Sequence, residues 1–219
     1  MLPTAVTEKA QQDSLNYAGM GASVIEISHR SAEFDQVINE ADALLTELAN
    51  IPDNYKILYV HGGAQMQFSA VPMNLINRLD ARKAAYIETG NFAKVAAKEA
   101  ARYGDINIAA SSEASDYDCI PDFDVSGVDA DTSYIHLTSN NTIYGTRWQR
   151  FPNTGDIPLV ADMTSELLSR EIDISQFGII FAGLQKNLGP AGLACVIVRE
   201  DLLGLAIPET PNLLNYKTY

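Results

Sequence analysis

The sequence predicts an α/β fold built on a mostly parallel sheet. Short apolar runs of strand length alternate with stretches whose apolar residues recur at helical spacing. Several of those runs are apolar on both faces, as strands must be when helices cover both sides of a sheet. Glycine turns stand where the first two of these runs give way to the helix that follows.

Taken in order, Phe34, Val37, Ile38, Ala41, Leu44, Leu45 and Leu48 fall three and four apart, which predicts an amphipathic helix over 33–49. Asn50, Pro52, Asp53 and Asn54 make a turn cluster, and Tyr55 to Val60 is a strand. After Gly62-Gly63, helical spacing returns over 65–79, with Pro72 expected to end or kink the helix near Val71. The pattern repeats as a strand over 84–88, a Thr89-Gly90 turn and an alanine-rich helix over 92–103. A strand over 106–110 follows. The stretch 111–131, rich in Ser, Asp and Gly, is expected to be a long surface excursion. Strands over 134–138, 158–162, 178–182 and 194–199 complete the set.

The chain has 219 residues, 47% hydrophobic and 20% charged, enough for one generous core, and we expect a single large domain spanning 1–219. No apolar run approaches bilayer length and the N-terminus lacks a signal-peptide pattern, so a cytoplasmic location is expected. A net charge of −13 repels nucleic acid and anionic membrane, which makes both poor partners. Cys119 and Cys195 lie far apart in unlike contexts, so neither a disulfide framework nor a metal site is expected.

In open α/β sheets ligands bind beyond the carboxyl ends of the strands, so the residues just after each strand carry the chemistry. Gly62-Gly63 at a helix start lets backbone amides approach a phosphate. Taken alone, it reads better as a tight turn that binds nothing. Asp162 closes an apolar strand, where a carboxylate needs a cationic or hydrogen-bonding partner. A protonated pyridine nitrogen is one such partner; capping a helix that begins at Met163-Thr164-Ser165-Glu166 is the alternative. Lys186 sits between a buried strand and a glycine-proline turn, among small residues that leave space for a planar cofactor. A lysine of lowered pKa there could form a Schiff base, although a lysine just past a strand is more usually a solvated surface residue.

Four segments, His61-Gly62-Gly63-Ala64-Gln65-Met66-Gln67-Phe68, Thr138 to Gly145, Ala161-Asp162-Met163-Thr164-Ser165, and Ala182-Gly183-Leu184-Gln185-Lys186-Asn187-Leu188-Gly189-Pro190-Ala191-Gly192, resemble phosphoserine aminotransferases in order and spacing. The resemblance runs essentially end to end. It implies the large domain of an aspartate-aminotransferase-like, fold type I protein, with a mostly parallel seven-stranded sheet flanked by helices. It also implies pyridoxal 5′-phosphate as cofactor, self-association as a homodimer, and transfer of an amino group from glutamate to 3-phosphohydroxypyruvate, giving O-phosphoserine and 2-oxoglutarate.

Carried over by position, Lys186 would hold the cofactor and move the proton, and Asp162 would pair with the ring nitrogen. Ala64, Gln65 and Gln185 would bind the phosphate, Thr142 would lie by the ring oxygen, and Phe92 would stack on the ring where the family usually has tryptophan. Arg30, in Ser28-His29-Arg30, would bind substrate carboxylate, whereas His29 and His136 have weaker claims. Family members continue into a smaller C-terminal domain, so a non-catalytic cofactor-binding or assembly fragment is an alternative expectation. A related aminotransferase with another substrate is a further one.

Overall fold

A computed structural model describes residues 2–219, which divide into two compact units, one ending at Ile51 and one spanning Pro52–Tyr219. The first carries α1 (Thr4–Leu15) and α2 (Ala32–Ala49). At the start of α2 the Ser31 hydroxyl accepts a hydrogen bond from the Phe34 amide at 3.2 Å, and Glu33 and Asp35 in the first turn complement the helix dipole. Left-handed Asn50 closes it. The predicted helix over 33–49 is therefore correct to one residue. α1 was not expected from the sequence: none of its residues is buried, so it carries no apolar stripe to read.

The second unit runs β1 (Tyr55–His61), α3 (Gly63–Leu75), β2 (Lys83–Glu88), α4 (Asn91–Ala100), β3 (Asp105–Ser111) and β4 (Thr132–Thr138). A two-residue pair follows, β5 (Asn140–Asn141) with β6 (Thr146–Arg147), and then β7 (Leu159–Asp162), β8 (Ile179–Gly183) and β9 (Leu193–Arg199). The main sheet is seven-stranded in the order β1-β9-β8-β7-β4-β2-β3. Only β9 runs against the rest: it pairs antiparallel with β1 and β8, while the pairings from β8 through to β3 are parallel. All seven predicted strands are present, and their ends move by at most two residues.

Burial explains the strand composition. Every residue of β4, β7 and β8 is buried. Among the polar groups that enter the core, the Tyr86 and Tyr134 hydroxyls meet at 2.9 Å, and the His136 ring stacks on Tyr86 with centroids 4.6 Å apart while its Nδ1 finds no hydrogen-bond partner among the described residues. Of the two outcomes expected of Pro72, an end or a kink near Val71, the end does not occur there. α3 continues to Leu75, because Val71, Pro72 and Leu75 are all buried and tertiary packing offsets the one backbone bond that proline cannot donate. The excursion after β3 contains no strand, yet Tyr117 turns inward and donates to Glu88 Oε1 at 2.6 Å. Among the described residues no helix is long and apolar enough to cross a membrane, no cluster could hold a metal ion, and neither cysteine is in a disulfide.

Candidate functional site

A pocket of about 570 Å³ opens at the carboxyl ends of the strands. Three pieces of chain supply its polar groups, and Phe92 at the start of α4 adds an apolar wall. The first is the turn from β1 into α3. Gly62 takes φ +84°, a left-handed start that favours glycine, and a Cβ there would lie 2.7 Å from the Met66 Cβ. The turn brings the start of a 13-residue helix to the pocket, whose wall includes Gly62, Gly63, Ala64 and Gln65. Unpaired N–H groups at the positive end of a helix dipole attract an anion.

The second piece is the end of β7. Asp162 is buried, and its Oδ1 accepts both the Thr164 amide at 3.0 Å and the Thr164 hydroxyl at 2.6 Å. No helix follows: the chain makes a tight turn through Met163–Leu167 instead, so the expected helix cap is the cap of a single turn. Burial raises the Asp162 carboxyl above its ordinary pKa, while the Thr164 bonds and the Lys186 charge pull it back down. Oδ2 takes no hydrogen bond among the described residues. A buried carboxylate with one oxygen unengaged on a pocket wall suits a cationic donor such as a protonated ring nitrogen.

The third piece follows β8. Gly183 is tightly enclosed: a Cβ would stand 3.0 Å from the Ala64 amide nitrogen and 2.7 Å from Gln185 Oε1, so the helix start and the Gln185 side chain would have to shift. Its own amide donates to the Thr164 hydroxyl at 3.1 Å, tying the ends of β7 and β8 together. Beyond it, Gly189 and Leu188 both donate to Leu184 O, and Asn187 reaches Leu167 O at 2.7 Å. On that pinned turn the Lys186 ammonium donates to the Thr142 hydroxyl at 2.8 Å and lies 5.2 Å from the centre of the Phe92 ring.

Of the residues singled out from sequence, Ala64, Gln65, Phe92, Asp162, Gln185 and Lys186 line this pocket. Thr142 joins it through Lys186. Arg30 lies in the first unit, exposed, its amide bonded to the Ser28 hydroxyl. His136 is buried in the core stack, where burial drives its pKa to about 3, which fits a structural residue. Sequence reasoning assigned no role to Thr164 or Phe68, both on the pocket wall. The Asp-x-Thr spacing of an Asx turn could have revealed Thr164. Phe68 could have been found four residues on from Ala64, on the same helix face.

The pattern of the family described as aminotransferase class-V matches residues 1–211. Phosphoserine aminotransferase of Bacillus cereus is 48% identical over 219 residues, covering all of this chain and 60% of that protein. Among solved structures, phosphoserine aminotransferase from Bacillus circulans subsp. alkalophilus superposes with a TM-score of 0.93 at 45% identity, again over all of this chain and 60% of the other. The pyridoxal-phosphate-bound phosphoserine aminotransferase of Trichomonas vaginalis gives 0.90 at 34% identity, over 100% and 64%. The chain thus spans about 60% of the length of the curated relatives it matches.

Proposed function

Because the chain belongs to the class-V aminotransferase family, we propose that it forms the large, pyridoxal-phosphate-binding part of a phosphoserine aminotransferase. The reaction would be transfer of an amino group from glutamate to 3-phosphohydroxypyruvate, giving O-phosphoserine and 2-oxoglutarate in serine biosynthesis. One observation carries the reading: a lysine amine, a buried carboxylate and a helix N-terminus converge on one pocket.

When bound, pyridoxal phosphate supplies an electron sink that makes the Cα–H bond of an amino acid breakable. The chain's residues divide the remaining work. The first amides of α3, with Gln65 and Gln185, hold the phosphate at the positive end of the helix dipole. Asp162 pairs with the ring nitrogen and keeps it protonated; Thr164 aims the carboxylate and offsets its desolvation. Phe92 offers an apolar face to the ring, and Thr142 lies by the ring oxygen and holds the free Lys186 amine ready. Lys186 binds the cofactor and carries the proton to and from Cα. Arg30 is assigned to a substrate carboxylate from the resemblance of its segment. A cytoplasmic homodimer acting on these small molecules is part of the same reading.

The test is to add pyridoxal phosphate to the purified chain, reduce with borohydride and map the modified peptide by mass spectrometry. Label on Lys186, lost in Lys186→Ala, is the expected result. Label scattered over surface lysines, or retained by the variant, overturns the assignment.

A further inference from the structure

After β9 the chain returns across α3 and is fastened to it. The Ile207 amide and the Thr210 hydroxyl both donate to Met73 O, at 2.9 and 3.2 Å, using a carbonyl that the end of the helix leaves without a partner. Asn74 Nδ2 donates to Leu214 O at 2.7 Å as well as to Ala70 O at 2.8 Å, and its Oδ1 accepts from the Tyr216 amide at 3.0 Å. The Tyr216 hydroxyl donates to Gln67 Oε1 at 2.7 Å. Gln67, Asn74 and Tyr216 are each no more than 2% exposed.

Gln67 and Asn74 are seven apart and so share one face of α3. Gln67 is also one turn from Gly63 and Ala64, the first residues of the pocket's helix. Apolar packing holds a helix against a sheet without fixing its rotation or its advance along its axis, because burial is non-directional. Hydrogen bonds to buried side chains fix both. α3 has particular need of this, since Pro72 removes a rung from its own ladder.

We propose that Gln67, Asn74 and Tyr216 are positioning residues, through which the segment 207–216 clamps α3 and sets the place of its first amides against a bound phosphate. The clamp rests on the reading of the pocket as a pyridoxal phosphate site. It acts on the phosphate and leaves the ring and aldehyde ends of the cofactor untouched. It therefore predicts a selective defect that general loosening of the fold does not produce.

The test compares pyridoxal phosphate with pyridoxal, which lacks the phosphate, by equilibrium binding to the full chain. Tyr216→Phe should weaken pyridoxal phosphate about three- to tenfold, the effect of one lost hydrogen bond, and leave pyridoxal unchanged. The double variant Gln67→Met with Tyr216→Phe removes both polar partners, which preserves folding, and should keep the same selective loss. Equal losses for the two ligands, or no loss in either variant, overturn the clamp.

A second measurement needs no cofactor. The amide resonances of Gly63, Ala64 and Gln65 in the unliganded chain should move in the double variant, and unmoved resonances overturn the clamp. If the unaltered chain binds no pyridoxal phosphate, the proposed function fails, and these resonances still decide the clamp.

Discussion

Replacing Thr164 by valine keeps the side-chain shape and deletes one hydroxyl that does two things. It donates to Asp162 Oδ1 at 2.6 Å and accepts from the Gly183 amide at 3.1 Å. A hydrogen bond to a charged group contributes about 1.5–3 kcal/mol, and a buried donor left without a partner costs about 1–3 kcal/mol. The two share one atom and do not add fully. We expect Thr164→Val to lower unfolding free energy by about 2–4 kcal/mol at pH 7, read from urea denaturation of the cofactor-free chain with an unchanged m-value. Thr164→Ser, which keeps the hydroxyl and loses a methyl, should cost only about 1 kcal/mol. The Thr164 bonds lower the Asp162 pKa, so removing them raises it further. The valine defect is therefore full above that pKa and shrinks as acid protonates the carboxyl. Equal losses in the two variants, or a valine defect that does not vary with pH, would refute the role given to the hydroxyl.

Three other outcomes follow from the same geometry. Burial holds His136 near pKa 3 against an ordinary 6.5, so the unfolded chain binds one more proton between those values. Stability, complete above about pH 6.5, should fall on acidification by up to about 1.4 kcal/mol per pH unit, a slope that His136→Phe should flatten in pH-dependent melting. Asp162 has the opposite sign. Its raised pKa means the native chain holds the proton longer, so stability falls as pH rises through that window; Asp162→Asn should abolish this dependence without weakening the cofactor-free chain at neutral pH, as thermal melts would report. Finally, Gly183→Ala drives a Cβ to 3.0 Å from the Ala64 amide nitrogen, and we expect a loss of about 1–3 kcal/mol in urea titration together with weaker capture of pyridoxal phosphate.

The sheet was legible because buried strands have no polar face to confuse them: Leu159–Asp162 and Ile179–Gly183 are apolar runs that end at, or three residues before, the candidate residues Asp162 and Lys186. The candidate site was legible because Asp162 and Lys186 violate that apolar pattern at or just past strand ends, and the structure brings both to one pocket. α1 was not, since a helix that buries nothing leaves no period in its sequence. The continuation of α3 past Pro72 was not fixed by local backbone preference, which allows an end or a kink there; burial of Val71 and Leu75 carries the helix on. The fastening of 207–216 onto Gln67 and Asn74 was invisible for a different reason. Its partners stand up to 149 residues apart, and nothing in a local window joins them.

The single reversed strand has a consequence for how the chain comes to fold. β1 lies at the edge of the sheet and pairs only with β9, Tyr55 against Arg199 and His61 against Leu193. Nearly the whole of this sequence must emerge before β1 has a partner. Loop closure over such a span slows pairing, and an apolar edge strand left waiting is a template for pairing with other chains. The turn after β1 carries the amides proposed to bind phosphate, so one long-range event both silences that edge and completes the pocket. A chain arrested before β9 would be sticky and would lack the proposed phosphate site at the same time.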